Sequence, residues 1–297
     1  MNLQNRFSSP ASNEVWTCLD VDLGAVSHQG LVRENNEDSY LVMRFGRSLE
    51  NLLTNIDPDL LDQSYFMRGY GMLVADGMGG MAGGEVASRL ALTKLIELIV
   101  DTSDWTLALN RQRAVTTVLE RMTERFFEID DVLRKEADSD QTLRGMGTTL
   151  TVAGALGSEL IIGHVGDSRA YLLRGDSFEQ LTTDHTLAQA LIDAGVASRD
   201  DPASRSMRHV LTAAVGSLGE QVDPQVQRLK LCKGDQLLLC TDGLTEAVED
   251  EIIAQVMRES TSSQGACQAL IDLALASGGS DNITVVLANF LSLDIRQ

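Results

Sequence analysis

The sequence contains few of the residues that mark linkers, disulfide frameworks or membrane spans. Only four prolines occur among 297 residues, and no Pro- or Ser-rich stretch interrupts the middle of the chain, which favours one domain over two. The cysteines at positions 18, 232, 240 and 267 form no CxxC pair, and we expect them to be reduced because a chain of this length does not need disulfides. No run of about 18 apolar residues is present, so we expect no transmembrane helix and no membrane partner.

Positive charge is also scarce. Lys and Arg number 24 against 43 Asp and Glu, which gives a formal net charge of -19. Such a protein repels polyanions, so we expect no nucleic-acid partner. Residues 1–13 are polar and lack the apolar segment of a signal peptide, which favours a cytoplasmic protein. We expect a tail over residues 1–16 and a single domain over residues 17–297.

The most informative segment is GMLVADGMGGMAGG, which runs from Gly71 to Gly84. It predicts a short apolar strand that ends at Asp76, a glycine-rich turn and then a helix. A carboxylate at the end of a buried strand is unfavourable unless a cation meets it, and glycine lets backbone approach a ligand closely. Because a second apolar run ends in Asp242-Gly243, the two acids predict a shared site for a hard metal ion.

Acidic residues stand beside turns or at strand ends in five places, which contain Glu37-Asp38, Asp76, Asp167, Asp242 and Asp281. Oxygen ligands from several chain segments, without Cys or His at metal-binding spacing, suit Mg²⁺ or Mn²⁺. One Asp-Gly alone is usually a plain turn, so the prediction depends on their coincidence. Arg33 lies just upstream, where its guanidinium has two alternatives: a pair of phosphate oxygens, or an ion pair with Glu34 or Glu37.

Hydrophobic periodicity predicts strands, two long helices, further strands, two more helices and a final strand. The expected helices are Glu85–Val100, Trp105–Lys135, Glu249–Glu259 and Gln264–Ser277, and the closing strand is Ile283–Phe290. This order favours α+β layers over regular βαβ alternation. Residues 46–69 form an irregular insert in this interpretation, and their Leu and Ile content indicates a short helix.

Seven short motifs, in this order, resemble those of the bacterial metal-dependent protein phosphatases of type 2C. The resemblance extends from about Val21 to Phe290. The motifs are Arg33–Asp38, Val74–Gly80, Gly147–Leu150, Gly166–Tyr171, Leu181–His185, Cys240–Leu244 and Gly279–Val286.

The resemblance implies a four-layer α-β-β-α sandwich in which helix pairs flank two antiparallel sheets. It also implies a serine/threonine protein phosphatase that hydrolyses phosphoserine and phosphothreonine with water activated at a binuclear Mn²⁺ or Mg²⁺ centre. Its substrates would be phosphoproteins made by Ser/Thr kinases, and we expect a monomer. The alternative is a catalytically silent sensor or scaffold with the same fold, but such relatives typically lose the metal acids that this chain retains.

The resemblance further implies a role for each motif residue. Asp76 and a water bridge two metals, Asp242 and Asp281 hold one metal, and the Gly77 carbonyl helps to hold the other. Glu37 and Asp38 bind metal directly or through waters, and Arg33 binds the substrate phosphate. Bacterial members often carry a third metal, here near Asp167 and Asp242.

One position departs from many eukaryotic members. Met78 replaces a histidine that is thought to act as the general acid, and methionine cannot donate a proton. We expect structural roles for His28, His164, His185 and His209, and a water as the proton donor to the leaving group.

Residues 186–214 resemble the variable flap beside the active site. Three arginines of this segment, Arg199, Arg205 and Arg208, either face an acidic phosphopeptide or belong to a solvated loop. A dinucleotide-binding fold is disfavoured, although Gly77-x-Gly79-x-x-Ala82 imitates its fingerprint, because Asp76 would lie against the pyrophosphate.

Overall fold

Two antiparallel sheets form the centre of the computed structural model, which describes residues 17–50, 52–53, 55, 64–80, 83–101, 111–198, 201, 206–217 and 222–295. The first sheet has the strand order β1 (Thr17–His28), β11 (Ile283–Ile295), β10 (Gln236–Cys240), β7 (Arg169–Arg174) and β8 (Ser177–Gln180). The second has the order β2 (Asp38–Glu50), β3 (Ser64–Met78), β5 (Leu150–Leu156), β6 (Glu159–Val165) and β9 (Gln225–Lys230). The two-residue strand β4 (Gly147–Thr148) pairs with the end of β3.

Six helices are described, of which four cover the outer faces of the two sheets. They are α1 (Gly83–Asp101), α2 (Arg111–Ser139), α3 (Leu187–Asp193), α4 (Asp242–Thr245), α5 (Asp250–Glu259) and α6 (Ser263–Ala276), with a 3₁₀ turn at Gln141–Leu143. The α1 and α2 pair packs on the second sheet, and α5 with α6 packs on the first sheet. The predicted four-layer α+β sandwich is therefore confirmed.

The alternation of side chains along β3 builds two of the cores at once. Met72 and Val74 point between the sheets, whereas Leu73 and Ala75 point outward to α1 and α2, because successive side chains of a strand face opposite sides. The stripe predicted on the second helix is also buried against this sheet, with residues Met122, Phe126, Ile129 and Leu133. Strands such as β3 are apolar on both faces because helices cover one face and the partner sheet covers the other.

The segment 46–69 differs from the irregular chain that we expected. Residues 46–50 continue β2 and residues 64–69 belong to β3, and their ladder extends to the pair Glu50 and Ser64. The predicted short helix lies outside the described residues where it falls at 56–63, as does the tail 1–16. The sequence pattern did not predict β8 or the short helix α4. Within the described ranges, no helix combines the length and the apolar character that a membrane crossing requires.

Candidate metal centre

Two carboxylates of the second sheet face each other directly. Asp38 is the first residue of β2, and its register partner in the antiparallel ladder is Asp76 of β3. Side chains at such paired positions lie on the same face about 5 Å apart, and like charges there repel. The Asp38 Oδ2 atom accepts a hydrogen bond of 2.8 Å from the Thr241 hydroxyl, but its buried Oδ1 has no partner among the residues that the structure describes.

The first sheet contributes two more acids at the same end of the sandwich. Asp242 lies two residues after the end of β10 and opens α4, and Asp281 lies two residues before β11, the neighbouring strand. The Asp242 carboxyl comes within hydrogen-bonding reach of Asp76, and its own Oδ1 is a second buried oxygen left without a partner in the described part of the chain. Acids from two different sheets therefore converge at this end of the sandwich.

Burial makes this cluster unfavourable in the absence of a cation. Burial, reinforced by the charges of Asp242 and Asp281, raises the pKa of Asp38 to about 7, and burial also raises the pKa of Asp76 well above its ordinary value. Asp167, buried beyond the end of β6, has its pKa raised to about 8 by burial and by the neighbouring Asp242. Unpartnered carboxylate oxygens in a buried, oxygen-only set fit a hard divalent ion such as Mg²⁺ or Mn²⁺.

Close backbone packing seats Glu37 beside this cluster. A Cβ on Gly77 would lie 2.0 Å from the Gly84 carbonyl oxygen, and a Cβ on Gly84 would lie 2.6 Å from Glu37 Oε2. The Gly77 N–H donates to the Glu37 carbonyl at 3.2 Å. Only glycine at positions 77 and 84 permits this approach, which explains the glycine-rich turn that the sequence shows.

A set of hydroxyl groups fixes the strand that carries Asp76. The Asp76 N–H donates to Thr149 Oγ1 at 2.9 Å, and Thr148 donates to the Asp76 carbonyl at 2.8 Å. Thr149 Oγ1 also lies 2.8 Å from the hydroxyl of Ser168, the residue next to Asp167. The backbone at Asp76 is therefore joined to the loop that carries Asp167.

Arg33 lies at the edge of the cluster, and it pairs with neither Glu34 nor Glu37, the two ion-pair partners considered from the sequence. Its Nη2 donates to Asp281 Oδ2 at 2.6 Å, and its side chain remains 54% exposed. The loop before Glu37 is held by Asn282, whose side-chain amide donates to the carbonyls of Gln29 and Asn35 at 2.8 Å each. Neither Glu34 nor Glu37 takes the ion pair considered from the sequence, and the guanidinium stands partly open to solvent beside the acids.

Two residues beside Asp242, His209 and Glu246, were not predicted as part of the site. His209 Nδ1 lies 2.5 Å from Glu246 Oε1, and these groups with the Asp242 carboxylate have ligand atoms within 4.8 Å of one another. Glu246 was detectable, because it stands one helical turn after Asp242. His209 was not, because only the fold of the flap brings it there.

The other histidines make internal contacts. His164 is buried and hydrogen-bonds Thr151 at 2.8 Å, His185 accepts from the Gly166 N–H at 3.2 Å, and His28 accepts from the Gly30 N–H at 2.9 Å. Of the flap arginines, Arg208 is exposed, whereas Arg199 and Arg205 lie outside the described residues.

The comparisons with known proteins agree with this arrangement. A family model described as protein phosphatase 2C matches residues 64–276. The serine/threonine protein phosphatase PstP of Mycobacterium tuberculosis is 34% identical over 92% of this chain, and the chain spans about half (46%) of that relative's length. The protein phosphatase PhpP of Streptococcus pneumoniae is 29% identical over 91% of this chain and 97% of its own.

Solved structures give the same result. A crystal structure of the M. tuberculosis phosphatase has a TM-score of 0.73 and 32% identity, and covers 92% of this chain and 99% of its own. The structure of the PstP catalytic domain in complex with two manganese ions has a TM-score of 0.71 at 32% identity, and covers 93% of this chain and 100% of its own. The chain with this sandwich and this carboxylate cluster belongs to the protein phosphatase 2C family.

Proposed function

We propose that this protein is a metal-dependent serine/threonine protein phosphatase. It hydrolyses phosphoserine and phosphothreonine in proteins that Ser/Thr kinases have phosphorylated. The observation that carries the proposal is the convergence of buried and half-buried carboxylates from both sheets beside a partly exposed arginine. Three of these acids, Asp38, Asp76 and Asp242, have raised pKa values because burial disfavours their charged forms. The 34% identity to a named bacterial phosphatase supports the same activity.

In this proposal, one set of residues binds cations and another residue binds the substrate phosphate. We assign Asp76, Asp242, Asp281, Glu37 and Asp38, with the Gly77 carbonyl, to a binuclear Mn²⁺ or Mg²⁺ centre. We assign Asp167 to a third cation. Two bound divalent ions would lower the pKa of a coordinated water and neutralise charge on the phosphoryl group.

Arg33 is assigned to the substrate phosphate. Its planar fork matches two phosphate oxygens, and its pairing with Asp281 fixes the guanidinium beside the metal acids while more than half of the side chain stays accessible. Asp281 therefore has two functions in this proposal, because it orients Arg33 and supplies oxygen to the centre.

Protonation of the leaving serine or threonine oxygen needs a donor other than Met78. We propose a water for this step, which the flap side of the site can hold between the exposed His209 and Glu246 pair and Asp242. A pH–rate profile tests this assignment: an acidic limb that one His substitution removes, and that does not depend on metal concentration, would contradict it.

The decisive experiment measures hydrolysis of p-nitrophenyl phosphate and of a phosphothreonine peptide with Mn²⁺, Mg²⁺ or EDTA, for the wild type and Asp76→Asn. We expect turnover only with metal, and a loss of at least about 10²-fold in the variant, because the assigned bridging carboxylate is removed without a change of shape.

Asp131→Asn is the matched control. Its carboxylate is 59% exposed on α2 and pairs with Lys135, so its loss leaves turnover unchanged. A folded wild-type protein that binds Mn²⁺ but hydrolyses neither compound would instead favour the sensor or scaffold alternative.

A further inference from the structure

The loop that precedes Arg33 exposes two adjacent apolar side chains. Leu31 is 65% and Val32 is 69% exposed, although burial of such side chains is favourable. Single apolar residues on a surface are ordinary. These two differ because they adjoin, along the chain, the arginine assigned to the substrate phosphate.

This loop is held firmly in place. The Leu31 N–H donates to the Gly279 carbonyl at 2.7 Å, and the Gln29 amide closes the loop through the Arg33 carbonyl at 2.7 Å. A Cβ on Gly279 would lie 3.0 Å from Leu31 Cγ, so glycine there lets the leucine lie across the neighbouring loop. The apolar pair is therefore presented in a fixed position, which lowers the entropy that binding has to remove.

We propose that Leu31 and Val32 form a specificity surface for an apolar residue of the protein substrate next to the phosphorylated residue. This inference rests on the proposed function. A phosphate on Arg33 brings the flanking substrate residues to the same loop, because consecutive residues of an extended chain advance by only about 3.5 Å each. One bound substrate chain can therefore contact both Arg33, through its phosphate, and the adjacent pair Leu31 and Val32, through a flanking residue.

The charge beside this surface disfavours an acidic flanking residue. Glu34 follows Arg33 on the loop and is exposed, and the whole chain has a net charge of -19. An acidic residue next to the phosphate would be repelled there, whereas an apolar one covers the exposed Leu31 and Val32 side chains. The preferred substrate class is therefore a phosphothreonine or phosphoserine segment with apolar flanking residues.

The test compares kcat/KM with Mn²⁺ for three phosphothreonine peptides that differ only in the residues flanking the phosphothreonine, namely Leu, Gly or Glu, beside p-nitrophenyl phosphate. For the wild type we expect the Leu peptide to exceed the Gly peptide by about fivefold to tenfold, and the Glu peptide to be the poorest. The double variant Leu31→Ser, Val32→Ser should lose the preference for Leu and keep its activity on p-nitrophenyl phosphate, which has no flanking residues.

Two further variants control this test. Val100→Ser removes a valine that is 74% exposed in the last turn of α1, about 25 Å along the helix from the site, and should change no rate. Leu31→Lys with Val32→Lys should reverse the order, so that the Glu peptide exceeds the Gly peptide.

The outcomes separate the two proposals. Turnover of p-nitrophenyl phosphate without any preference among the peptides, or a preference that survives both double variants, would overturn the specificity surface alone. No metal-dependent turnover of any compound would overturn the proposed function, and this inference with it.

Discussion

Replacement of Asp38 by asparagine should stabilise the metal-free protein. Burial raises the pKa of Asp38 from 3.8 to about 7, so the folded state binds a proton that the unfolded state releases between these values. The stability of the wild type therefore falls as pH rises through this window. At 1.36 kcal/mol per pKa unit, the penalty grows from about 1 kcal/mol at pH 4.5 to about 4 kcal/mol at pH 7.5. Asparagine has no charge to bury, and its oxygen can still accept the Thr241 hydroxyl.

Urea denaturation in EDTA at both pH values measures this difference. We expect Asp38→Asn to exceed the wild type by about 2–4 kcal/mol at pH 7.5, after allowance for relaxation, and by about 1 kcal/mol or less at pH 4.5. Saturating Mn²⁺ should reduce or reverse the order, because the ion stabilises the folded wild type. The control variant Asp131→Asn, at an exposed position, should change the free energy of unfolding by no more than about 0.5 kcal/mol at either pH. A variant that is less stable than the wild type in EDTA at pH 7.5, or a gain independent of pH, would refute the reasoning.

Three further variants test the site and the buried histidine His164. Gly84→Ala should weaken Mn²⁺ binding measured by calorimetry and lower the free energy of unfolding in urea by about 1–3 kcal/mol, because its Cβ would meet Glu37 Oε2. An unchanged Mn²⁺ affinity would show that Glu37 does not bind the metal. His164→Asn should remove a pH effect on stability, because burial lowers the pKa of the His164 ring to about 3. As pH falls from 7 to 5, the free energy of unfolding of the wild type should therefore fall by about 2 kcal/mol more than that of the variant. Parallel pH curves for the two proteins would argue against a neutral buried ring. Arg33→Lys should raise KM for p-nitrophenyl phosphate by about tenfold with Mn²⁺ affinity retained, since lysine lacks the bidentate fork; an unaltered KM would place the phosphate elsewhere.

The sequence was most informative where a residue's chemistry is decided by its immediate neighbours. Asp76 and Asp242 could be found because each follows an apolar run and precedes glycine, and the spacing of Met122, Phe126 and Ile129 could only be a buried helical face. Such patterns are local, so one chain without coordinates contains them.

The contacts that distant segments make could not be read in this way. Arg33 pairs with Asp281, which is 248 positions away, whereas local spacing suggested only Glu34 and Glu37. The pairing of Asp38 with Asp76 depends on the long β2–β3 ladder, which extends to Glu50 and Ser64. His209 reaches Glu246 only because the flap folds back at its base, where Leu187 N–H donates to the Val210 carbonyl at 2.8 Å.

The position of β11 has a consequence for how the protein is made. This strand lies between β1 and β10 in its sheet, yet it is synthesised after the other strands that the structure describes, and Asp281 lies two residues before it. Until the ribosome has released these residues, β1 lacks its partner, the first sheet is split, and the carboxylate cluster lacks the acid that orients Arg33. The groups assigned to metal and phosphate therefore come together only when β11 inserts, and the proposed phosphatase activity would begin at that step.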